Sequence, residues 1–149
     1  MAYCLQAIIG AQQVLLRHGT EFQHAAVVML AQGMAIIPLT DALYGEIGVG
    51  GEVDHFYKLS AHVEEWAERI SHMAPVAYIE ADFFGGAGDQ SAIAWVDGER
   101  IIGPLHTDNA INEILHFLGA RVNSPLDEFD SVGLGRHRDT ASWTDEKAG

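Results

Sequence analysis

The chain has 149 residues, 48% of them apolar and 19% charged, a globular composition long enough for one domain that buries about two-thirds of its unfolded surface. Eight basic residues stand against 21 acidic ones, a net charge of −13, which repels phosphate backbones and anionic lipid and so excludes direct nucleic-acid and membrane-surface binding. The single cysteine, Cys4, excludes an intramolecular disulfide and a multi-cysteine zinc site.

The charge is uneven. Residues 1–51 carry Arg17 and three acids, a net of −2, leaving −11 to residues 52–149. No apolar run reaches the roughly 18 residues of a membrane span, and the N-terminus lacks the basic region of a signal peptide. A cytoplasmic protein with a buried, inert Cys4 thiol is expected.

In chain order, "AYCLQAIIG" alternates as an opening strand, with Tyr3, Leu5 and Ala7 on one side and Cys4 and Ile8 on the other. "AQQVLLRHGTEF" predicts a short helix stopped by Gly19. "AAVVMLAQGMAIIPLT" predicts a hairpin around "AQG", its second strand ending at Pro38, which has no N–H to donate. Thr40 or Asp41 is placed to cap a short helix. "GVGGEVDHF", residues 48–56, reads as a subdomain hinge within a single domain covering residues 1–149.

Ser60 caps the clearest helix, in which Val63, Trp66, Ala67 and Ile70 share one face. Glu64, Glu65 and Glu68 fill its outer face, and Glu65 is spaced to pair with Arg69. "VAYIEADF", "SAIAWV" and "RIIGP" follow as a three-stranded meander, the last two joined by "DGE". "TDNAINEILHFLG" predicts a helix opened by Thr107 or Asp108, closed by Gly119, and burying Ile111, Ile114, Leu115 and Leu118. The tail has no sustained period, but its apolar residues predict packing down to about residue 143, with 144–149 frayed. Helices mixed with hairpin-linked strands define an α+β fold: a single, mostly antiparallel sheet carrying three to four helices.

Chemistry concentrates in "YIEADFFGGAGDQSAIAW". Alternation puts Ala77, Ile79, Ala81 and Phe83 on the core face, and Val76, Tyr78, Glu80 and Asp82 on the other. Glu80 and Asp82 then lie about 7 Å apart, near the spacing of glycosidase carboxylate pairs, and the glycine-rich turn brings Asp89 toward the same end. A solvated hairpin end, a partner-binding face, a carboxylate dyad and a hard-cation site all fit this pattern, and the solvated face is the plainest of them. No Walker, dinucleotide, EF-hand or G-x-S-x-G pattern is present, and the eight histidines form no H-x-H or H-E-x-x-H pair. Asp54 and His55, a lone "DH" beside the flexible loop, are the least poor acid/base pair. In "GRHRD", Arg136 and Arg138 are expected to make internal ion pairs, for instance to Glu80 or Asp82.

The combination of "YIEADFFGGAGDQSAIAW", "AINEILHFLG" and "DEFDSVGLGRHRD" resembles a family of small acidic bacterial proteins, over about residues 55–143. That resemblance implies no catalytic residues. In size, acidity and α+β character the chain is also similar to immunity proteins that neutralise bacterial toxins. The expected function is therefore binding of a basic protein partner, without a cofactor, through Glu64, Glu65, Glu68, Glu80, Asp82 and Asp89, with Phe84 or Trp143 as an exposed aromatic anchor. The alternative is a carboxylate- or metal-assisted hydrolase using Glu80, Asp82 and His55. Self-association as a homodimer is a third, plainer possibility.

Overall fold

The computed structural model describes residues 2–48, 50–53, 55–84, 87–122 and 126–146, with the backbone alone for Phe84, Ala87 and Glu146. Six strands form one sheet in the order β2-β3-β1-β4-β5-β6, and every neighbouring pair is antiparallel. The strands are β1 (Ala2–Ala11), β2 (Val28–Met29), β3 (Met34–Pro38), β4 (Val76–Phe84), β5 (Ala87–Val96) and β6 (Glu99–Leu105). The helices are α1 (Gln12–His18), α2 (Asp41–Ile47), α3 (Ala61–Ser71), α4 (Ala110–Phe117) and α5 (Glu128–Val132), followed by 3₁₀ turns at Leu134–Arg136 and Ala141–Glu146. This is an α+β fold. No described helix is long and apolar enough to cross a membrane.

β1 lies between β3 and β4, so a single sheet draws strands from both sides of the 48–56 loop. Val53 and Phe56 of that loop are buried in the core, and Glu52 bridges to Ser60. Asp54 lies outside the described residues.

Helices cover both faces of the sheet. On one, Leu5, Ala7, Ile9, Ala77, Ile79, Ala81, Ala92 and Ala94 pack with α4, α5 and the tail. On the other, Ile8, Ile37, Val76, Tyr78, Ile93 and Trp95 pack with α1, α2 and α3. The expectation that only the Ala77 face of β4 is core is thus corrected: Val76 and Tyr78 are as fully buried as Ala77 and Ile79. Small alanines in the middle of β4 and β5 let α4 sit close to the sheet, while the opposite face carries the large rings.

Local chemistry sets most of the boundaries. The Thr40 and Ser60 hydroxyls accept from the amides of Leu43 and Val63, capping α2 and α3. Pro38 ends β3 beyond the reach of the two-residue β2, so its missing N–H costs no ladder bond. Asn109, not Thr107 or Asp108, holds the N-cap position of α4, and the Ile111 amide there donates to the Gln90 side chain at 2.9 Å. Arg69 pairs with Glu21 at 3.0 Å rather than with Glu65.

The tail packs as expected down to Trp143, which is 0% exposed. It runs beside the part of β1 that β3 leaves unpaired. The Cys4 amide donates to the Arg138 carbonyl, and the Gln6 amide donates to Thr140 Oγ1.

Candidate functional site

The face of the sheet that carries α1–α3 does not stay covered along its whole length. Register places Ile8, Tyr78 and Ile93 in one cross-strand row, Gln6, Glu80 and Ser91 in the next, and Cys4, Asp82 and Asp89 in the one beyond. Burial gives way to polarity along these rows. The last two rows form the floor of a cleft of about 750 Å³, walled by His55 and Tyr57 from the loop before α3 and by His106, Thr107 and Asp108 after β6. Its volume is that of a small-ligand site.

Glu80 anchors the wall. Its carboxylate, in a residue 8% exposed, accepts from the Tyr57 amide at 2.8 Å, the Lys58 amide at 2.7 Å and the Tyr78 hydroxyl at 2.6 Å. Burial, and then the charge of Glu80, push the Tyr78 hydroxyl far above its ordinary value, so it keeps its proton and donates. With its oxygens accepting from three donors, Glu80 fastens the loop to the sheet. Among the described residues no three His, Cys, Asp or Glu side chains cluster to hold a metal ion.

Asp82 and Asp89 are directly opposite each other on β4 and β5, and both are exposed. Like charges in that relation repel. Among the described residues no donor or cation partners the side chains of Asp82, Asp89 or Asp108, and no lysine or arginine side chain lines the cleft. The nearby Lys58 Nζ is turned to Asp41 at 2.5 Å. Gly88, next to Asp89, is required by close strand approach: a Cβ there would stand 2.1 Å from the Asp82 carbonyl oxygen. The glycines of this hairpin thus include one that serves pairing, which separates the motif from a phosphate-binding loop.

At the other side of the floor, Ser91 Oγ and His106 Nδ1 are 2.7 Å apart. The Phe56 ring, packed edge-on to Tyr78, lies 5.1 Å from the His106 ring, and His55 lies 6.4 Å from it. His55 holds a backbone φ of 65°, a left-handed conformation uncommon outside glycine and frequent at binding sites. Tyr57 is 81% exposed.

The structure therefore brings together Asp82, Asp89, Glu80 and His55, and adds Ser91, His106, Tyr57 and Asp108, which sequence reasoning did not single out. Alternation along β5 already places Asp89 and Ser91 on one face. What the sequence lacks is the register that sets that face against Glu80 and Asp82, and the bulge that aims His106.

Other expected contacts are absent from the cleft. Glu64 is committed to Arg100, at 2.6 and 2.8 Å, and to the Trp95 indole at 3.0 Å. Glu65 is exposed on α3; Glu68 is half-buried there, its carboxyl pushed up by burial and by the charge of Glu64. Trp143 is buried between layers and so is not an exposed anchor; its ring lies 5.1 Å from the Arg136 guanidinium and 4.8 Å from the His137 ring. The Phe84 side chain lies outside those described. Arg136 donates to the Met29 carbonyl at 2.7 Å, and Arg138 meets β1 through its carbonyl, so neither pairs with Glu80 or Asp82. Cys4 is half-buried in the cleft floor, its sulfur accepting from Gln6 Nε2 at 3.3 Å, rather than sealed in the core.

Fold and site together define a class: an antiparallel α+β protein with an acidic cleft at one end of its sheet. No family model, no curated protein and no solved structure matches the chain.

Proposed function

We propose that the protein is an acidic binding protein whose cleft receives an ammonium or guanidinium group. The observation that carries this reading is the set of three carboxylates, Asp82, Asp89 and Asp108, which have no partner among the described residues, in a cleft that no described lysine or arginine side chain lines. A cation between Asp82 and Asp89 turns their repulsion into attraction. The exposed ring of Tyr57 offers a face for cation–π contact, worth about 0.5–1 kcal/mol at such a site.

Two sources carry that chemistry: a free amine, or a lysine or arginine on a basic protein. The net charge of −13 favours the protein, because long-range attraction speeds encounter with a basic surface. A basic toxin meeting its immunity protein in the cytoplasm is one such encounter, in keeping with the resemblance noted above. The same charge on two copies opposes self-association.

Calorimetric titration with spermidine and with an arginine-rich peptide tests the reading and separates the sources. Saturable 1:1 binding of at least one is expected, weaker as salt rises, with the peptide the tighter ligand if a protein is the partner. The double substitution Asp82→Asn, Asp89→Asn is expected to weaken it about tenfold, two exposed charge contacts of about 0.7 kcal/mol each. Absence of binding in both arms, or unchanged affinity in the double variant, overturns the proposal.

A further inference from the structure

We infer that Ser91, His106 and His55 form an acyl-transfer site on the cleft wall, acting on a small carboxylic ester that carries an ammonium group. The choice of ester rests on the cation-binding reading; the reactive trio does not.

The other polar groups in the Ser91 row are already committed. Gln6 and Glu80 share a row with Ser91 but are held by Thr140, by two backbone amides and by Tyr78. The Ser91 hydroxyl is bonded to His106 instead, at 2.7 Å, within the range in which a base can take a nucleophile's proton.

The placement is built in. β5 and β6 change register between Ala92 and Ala94, and Gly103 at φ 91° carries the shift. A Cβ on Gly103 would lie 2.7 Å from the Ala92 carbonyl oxygen, so only glycine passes there. This irregularity re-aims the strand end and delivers His106 against Ser91, where the Phe56 ring supports it. His55, in its left-handed backbone conformation, faces the same space.

In the Nε2–H tautomer, His106 Nδ1 accepts the Ser91 proton as Oγ attacks the ester carbonyl carbon. The C–O π pair moves onto the carbonyl oxygen, where a His55 N–H donates to it. Collapse breaks the bond to the alcohol, which leaves with the proton from His106. Water, deprotonated by His106, then attacks the acyl-serine, so that ester and water become acid and alcohol and the Ser91 hydroxyl is restored. The substrate's ammonium group sits at Asp82 and Asp89.

An uncharged alkyl fluorophosphonate, which labels activated serines and needs no cation subsite, tests the Ser91–His106 pair directly on the full chain. Intact-mass spectrometry is expected to show one adduct, mapped by peptide analysis to Ser91 and absent in Ser91→Ala. In His106→Gln the labelling rate is expected to fall at least about 100-fold. No adduct, an adduct elsewhere, or a His106→Gln variant that labels at the parental rate overturns the inference. Titration of the same protein with spermidine reads the binding proposal separately, so either can fail while the other stands.

Discussion

At the residue scale, the acids of the β4–β5 hairpin divide by what surrounds them. Glu80 satisfies two loop amides and a buried phenol, and removing it would leave three donors without an acceptor. Asp82 and Asp89 have no such duty. They face each other with like charge, an arrangement that costs stability and has no compensating contact among the described residues. Asp89→Asn is therefore expected to raise stability by about 0.5 kcal/mol, read as a melting temperature about 1–2 °C higher, while cation affinity falls. A protein that gains stability as it loses binding holds that carboxylate for function. A lower melting temperature in this variant would show that Asp89 is structural and would remove the repulsion argument.

At the element scale, what the sequence displays is local and what it hides is pairing. The Ser60 cap, the Val63–Trp66–Ala67–Ile70 face and the Pro38 stop were legible because each depends on neighbours within a turn or two of chain. α5 was missed: its five residues, capped by Asp127, are too few to show a period. The covering of both sheet faces was missed as well, because Val76 and Tyr78 share their face with Glu80 and Asp82, whose charges make the whole face read as solvated. The cleft was half legible. Glu80, Asp82 and Asp89 stood out as a group, but Ser91 and His106 are 15 residues apart, and only the bulge at Gly103 brings them together. That dependence gives the element its own test. Gly103→Ala forces a side chain into the Ala92 carbonyl and a left-handed backbone, expected to cost about 1–3 kcal/mol. A shortened β6 should follow, with the His106 ring displaced from Ser91, visible as a changed His106 chemical shift and a lost fluorophosphonate adduct. An unchanged shift would mean that the bulge does not set the pair.

At the scale of the whole molecule, an acidic protein must tie its layers together against its own charge, and Glu21 is one of those ties. It joins the segment after α1 to α3, accepting from the Trp66 indole at 3.0 Å and from Arg69 at 3.0 Å, and pairing with His18 at 2.7 Å. Burial alone would raise its carboxyl, but the hydrogen bonds from His18, Trp66 and Arg69 outweigh it and the net shift is downward from 4.5. A carboxyl whose value is lowered on folding binds its proton less readily in the native state than in the unfolded chain. Its contribution is present above pH 4.5 and is lost as the pH falls through the lower folded value. Glu68 and Asp130, whose carboxyls burial pushes upward, act in the opposite sense and gain on acidification, as does relief of the general repulsion. The comparison must therefore be made within one variant pair. Glu21→Gln is expected to melt below the parent at pH 7, by about 1 kcal/mol given the partial exposure of the site, and the gap should close as the pH drops below 4.5 through the lower folded value. Thermal melts of both proteins across that range decide it: a gap that stays constant would mean that the Glu21 charge contributes nothing and that the difference comes from the acceptor oxygen the amide lacks.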